Sequence, residues 1–137
     1  MIREFSNVKD LIGYIDSKLM DLRKEFGEVI RYVEELRRKA EAQKKISSIL
    51  TKLGAEARLV TQAVEIDLKS VKIAFNPSAE YELRYYERYI EDLNQKINKL
   101  ASMRKDLDAV STELSELPAR IIVMLKDDIP DLIILKL

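Results

Sequence analysis

Tyr81, Tyr85 and Tyr89 recur every four residues, with Arg84 and Arg88 beside them. On a helix such spacing makes one row of rings bordered by guanidinium groups. Tyrosine and arginine are large, stiff and both apolar and polar, which suits them to the centres of protein interfaces. The same pair can stack on bases and hold phosphates of single-stranded nucleic acid. The plainest alternative is a second helix face buried in a bundle, each hydroxyl reaching water. We take Tyr81, Arg84, Tyr85, Arg88 and Tyr89 as the candidate protein-interface set.

A second constellation is electrostatic. Arg37, Arg38, Lys39, Lys44, Lys45 and Lys52 crowd one stretch, with Glu41 the one acid among them. A run of this kind is commonly a solvated face. Its functional reading is a docking site for an acidic protein or a phosphate backbone, carried by Arg37, Arg38, Lys44 and Lys45.

Little in the chain suggests catalysis. It contains no histidine and no cysteine. That removes the commonest general base, the commonest transition-metal ligand and every thiolate site. Its three glycines stand far apart and make no phosphate loop. Asp127, Asp128 and Asp131 cluster near the end but lack the glycine and bidentate glutamate of a calcium loop, so they read as a polar turn. No enzyme activity, cofactor or metal is expected.

The elements that position these groups are read from apolar spacing. Val8, Ile12, Ile15, Leu19, Leu22, Phe26, Val29, Val33, Leu36 and Ala40 alternate steps of four and three, a coiled-coil seam. Ser6 or Asn7 caps this helix and Gly54 ends it, giving a rod of about 70 Å over residues 6–53. Gly13 and Gly27 lie off the seam and mark bends or the close approach of a neighbour. A second seam, Leu83, Tyr86, Ile90, Leu93, Ile97, Leu100, Met103, Leu107, Val110, Leu114 and Leu117, predicts a helix over 77–117. Asn76 would be its cap, Pro77 its first turn and Pro118 its stop.

Between the rods the signals conflict. Val64, Ile66, Leu68 and Val71, Ile73, Phe75 alternate as in a hairpin turning at Lys69-Ser70. Yet Arg58, Gln62, Glu65, Lys69 and Lys72 step by four and three, leaving an apolar helical arc, and Glu65–Lys69 is a favourable helical pair. We favour a packed middle helix over 55–75. Residues 119–137 are too apolar to stand in water. They read as a short hairpin or helix packed on the bundle or on another chain.

The expected fold is therefore all-α. One helical domain spans 1–137, a coiled-coil-like three-helix bundle of long antiparallel helices with a short apolar tail. Charged residues make up 35% of the chain, but 24 bases balance 24 acids. That balance argues against a protein devoted to coating nucleic acid or an anionic membrane. Few Gly and Pro with many Lys, Arg, Glu and Ile give a thermophile-like profile. No apolar run reaches the roughly 18 residues of a membrane span, and no secretory segment follows Met1–Phe5. A cytoplasmic protein is expected.

The functional expectation is a non-enzymatic interaction protein that docks on or bridges other protein subunits, with homo-oligomers included. The alternative is a regulator of a nucleic-acid machine, acting on a polymerase, DNA or RNA through 37–52. Two long helices flanking a shorter segment, Val8 to Leu117, also loosely resemble a prefoldin subunit, a chaperone with coiled-coil tentacles on a β-barrel base. That resemblance implies a hairpin over Val64 to Phe75 and an ATP-independent holdase.

Overall fold

The computed structural model describes residues 1–54 and 64–137 and shows a mixed α/β fold rather than an all-α bundle. Element order is β1 (Ile2–Phe5), α1 (Val8–Lys52), β2 (Val64–Asp67), β3 (Lys72–Phe75), α2 (Ala79–Ala109), α3 (Ser111–Glu116), β4 (Arg120–Lys126) and β5 (Ile129–Lys136). Two antiparallel sheets form, one ordered β1-β4-β5 and one β2-β3. The chain divides into two compact units, 1–26 with 92–137, and 27–91.

The first unit is built around a single apolar core. Val8, Leu11, Ile15 and Leu19 from α1 join Leu93, Ile97, Leu100 and Leu107 from α2. Phe5 of β1, Ile121, Val123 and Leu125 of β4, and Ile129 of β5 complete it. Strict alternation sends Ile121, Val123 and Leu125 inward, while Met124 faces out. Strand β1 is the element the sequence reading missed. Arg120 seals the β1–β4 edge with two hydrogen bonds donated to the Glu4 carboxylate, 2.8 and 3.0 Å long. At the β4–β5 turn Asp127 and Asp128 both have positive φ, 53° and 64°, as a two-residue turn matched to strand twist demands. The turn is thus shorter than the expected span to Asp131, which lies within β5.

In the second unit Leu36 and Ala40 of α1 pack with Ala79 of α2, flanked by Leu83 and Tyr86. Tyr32 stacks near Tyr86 and donates a hydrogen bond to Glu82. Over 64–75 the expected middle helix is replaced by the β2–β3 hairpin, and the remainder of that expectation, 55–63, lies outside the described residues. The physical reason is visible in the register. Ile66 pairs with Ile73 and Asp67 with Lys72, apolar and opposite-charge cross-strand contacts that the hairpin makes. The helical spacing of the polar residues carries no structure there.

Several boundaries also move. Asn7 Oδ1 accepts the Asp10 amide at 2.8 Å, so Asn7 is the cap of α1. Gly54, at φ 74°, sits just past its end as expected. The cap of α2 is Ser78, whose hydroxyl accepts the Tyr81 amide at 3.1 Å, while Asn76 takes a left-handed conformation before it. The second rod stops at Ala109, and α3 follows as a separate short helix. A Cβ added at Gly13 or Gly27 would meet nothing within 4 Å, so neither glycine serves a close approach.

Two substitutions check this packing. Leu100, fully buried, is expected to lose about 2–5 kcal/mol of stability as Leu100→Ala, read by denaturant unfolding. Gly13→Ala is expected to gain up to about 1 kcal/mol, because the helix loses its most flexible residue and no neighbour is disturbed.

Candidate protein-docking site

The hairpin has one polar and one apolar face, and both are exposed. Glu65, Asp67, Lys72 and Ala74 share one face by register. That face is tied to α2. The Tyr81 hydroxyl donates to Glu65 Oε2 at 2.7 Å, and Lys72 Nζ lies 3.0 Å from Glu65 Oε1 and 4.0 Å from Asp67 Oδ1. The opposite face carries Ile66 (40% exposed), Leu68 (51%), Val71 (59%), Ile73 (40%) and Phe75 (60%). Leu68 and Val71 extend the ladder beyond the strands through a 2.9 Å hydrogen bond from the Leu68 amide to the Val71 carbonyl.

The electrostatics agree with that geometry. Hydrogen bonds from Tyr81 and Lys72, then the Lys72 charge, hold the Glu65 carboxyl below its ordinary 4.5. The Glu65 partnership raises Lys72, with Asp67 adding to it. Donation to Glu65 raises the Tyr81 phenol well above its usual range. Elsewhere in the unit, the bond to Glu82 pushes Tyr32 up to about 12.

The tyrosine–arginine row is partly engaged by this work. Tyr81 and Tyr85 lie 5.1 Å apart between ring centroids. Arg84 sits 5.8 Å from the Tyr81 ring and Arg88 6.0 Å from the Tyr85 ring. Tyr85 and Tyr89 are exposed on α2. Tyr81, Arg84, Tyr85 and Arg88 with Glu65 line an open cavity of about 260 Å³, below the roughly 300–1,000 Å³ typical of small-molecule sites.

Of the electrostatic set, Arg37 pairs with Glu87 at 3.3 Å, while Arg38, Lys44 and Lys45 are exposed along α1. These two candidate sets therefore lie in one unit, but only the tyrosine row reaches the hairpin. Asp128 bonds through its carbonyl to the Tyr14 hydroxyl and through its carboxylate to Lys18. Among the described residues no three acidic groups converge to hold a metal ion.

The apolar face was missed as a site, although its signal was present. The alternation from Ile66 to Phe75 marks it once the segment is read as strands. The first sheet has a smaller outward apolar face, with Ile2, Met124 and Leu132 exposed. Among the described residues no helix is long and apolar enough to cross a membrane. The β2–β3 hairpin supplies the element that the prefoldin layout requires, whereas the β1-β4-β5 sheet has no place in that layout. Comparison with protein-family models, curated proteins and solved structures returns no significant match.

The pH dependence of the hairpin's attachment follows from these shifts. A depressed Glu65 pKa contributes stability above about pH 4.5 and loses it as pH falls through the lowered value. A raised Tyr81 pKa contributes below its ordinary 10.0 and loses it at higher pH. Carboxyl NMR titration of Tyr81→Phe is expected to move the Glu65 midpoint upward while Lys72 still keeps it under 4.5. An unmoved midpoint would show that the phenol does not hold this carboxylate.

Proposed function

We propose that this chain is a non-enzymatic interaction protein that docks on, or bridges, other protein subunits, and that the outward face of the β2–β3 hairpin is its principal contact. The observation that carries this reading is the exposed apolar face of the hairpin. Glu65 on the other face is bound to Tyr81 of α2, and five large apolar side chains face water. A two-stranded sheet is marginal alone in water. A contiguous exposed apolar patch is characteristic of an interaction surface. Ile46, Ile49 and Leu53, all exposed near the end of α1, add apolar surface to the same unit.

Bridging is supported by a second outward apolar face on the first sheet, so that each unit offers one. Tyr85, Arg88 and Tyr89 fit the surround of a protein interface, amphipathic and able to stay hydrated until a partner arrives. The nucleic-acid alternative has less support. The basic stretch is short, Arg37 is already paired with an acid, and the chain carries no net charge.

Photo-crosslinking tests the reading. With p-benzoylphenylalanine at position 75, the chain expressed in its own cells is expected to form discrete adducts with protein. The same group at position 20, exposed on α1 in the first unit, serves as the control. Equal labelling from both positions, or none from position 75, would refute docking through this face. Adducts to RNA or DNA from position 75 would move the assignment to the nucleic-acid class.

A further inference from the structure

We infer that the outward hairpin face is covered by the same face of a second copy of this chain, two hairpins stacking about a two-fold axis. The inference rests on the docking reading above and names its occupant. Ile66, Leu68, Val71, Ile73 and Phe75 form a ladder with no charged or polar side chain among them. A partner that brought a charge or an unpaired amide onto it would leave that group buried without compensation. The matching surface must therefore be flat, apolar and uncharged, and the hairpin itself is one such surface.

Size supports the pairing. At their observed exposures the five side chains offer on the order of 500 Å². Two copies would together bury on the order of 1,000 Å², about the minimum for a specific association.

Charge supports it too. The hairpin holds two acids, Glu65 and Asp67, and two bases, Lys69 and Lys72, and the whole chain is neutral, so copies meet without net repulsion. Stacked sheets lie about 10 Å apart, which places the Ile66–Ile73 row of one hairpin over that of the other at the axis. The polar faces, held to α2 by Tyr81 on either side, then point away from the junction. An isologous contact of this kind closes on itself and stops at two.

Light scattering of the full chain from about 1 to 500 µM tests the proposal. The chain has a mass of 15.9 kDa, and a mass approaching twice that value is expected as concentration rises. Ile66→Thr with Ile73→Thr keeps the β-branched shape and removes apolar surface, so it is expected to weaken association by about tenfold or more. Its circular dichroism should be unchanged, because neither residue lies in a core. Leu132→Thr, on the outward face of the first sheet, is expected to leave association unaltered. A wild-type chain that stays monomeric throughout overturns self-pairing. So does a dimer indifferent to the double substitution. Crosslinking from position 75 to a different protein would keep the docking reading while the self-pairing fails.

Discussion

The small hairpin meets α2 through a hydrogen bond that Tyr81 donates to Glu65. The Tyr81 phenol fastens Glu65 of β2 to α2, while the Lys72 ammonium pairs with the same carboxylate from within the hairpin. Neither interaction is buried, so neither can contribute much by itself. Their importance is orientational. With the polar side turned toward α2 through Glu65, alternation puts the apolar side on the opposite face, and both faces keep contact with water. The docking role we propose depends on that arrangement.

The two units solve the same problem in different ways. In the first, helices and a three-stranded sheet share one core, and inward-facing residues of β4 are covered. Here the sheet is an ordinary half-buried layer. In the second, Leu36 and Ala40 of α1 pack with Ala79, Leu83 and Tyr86 of α2, and the apolar residues of the sheet are exposed. Both units expose an outward apolar face, and the five residues of the second outnumber the three of the first, Ile2, Met124 and Leu132. That contrast makes the second unit the better place to look for partners.

Much of this was legible in the residues. The seam from Val8 to Ala40 named α1, Gly54 named its end, and Leu93, Ile97 and Leu100 are buried as their spacing required. The tail's two apolar runs do pair as strands. The errors share a cause. Segment 64–75 satisfied two periodicities at once, and local spacing holds no information about which tertiary partner will win. Strand β1 is only four residues and depends wholly on β4, 115 positions or more away, for its hydrogen bonds. Asn76 has the chemistry of a cap, yet the left-handed conformation that ends the hairpin claims it, and Ser78 takes the capping role. Of the candidate site, the tyrosine–arginine row is visible in the spacing, but the bond from Tyr81 to Glu65 is not, because the four-and-three spacing of its polar neighbours puts Glu65 on a helix.

The outer strand of the first sheet has its own significance. β5 runs along an open edge, yet its pairing with β4 slips by one residue between Met124 and Leu125, and Pro130 removes an amide beside that slip. Asp131 and Lys136 add charge along the strand. Such features discourage endless strand-by-strand growth, the usual hazard of a sheet so rich in isoleucine and leucine. The chain can thus expose an apolar face at its hairpin while this border resists polymerising into fibrils.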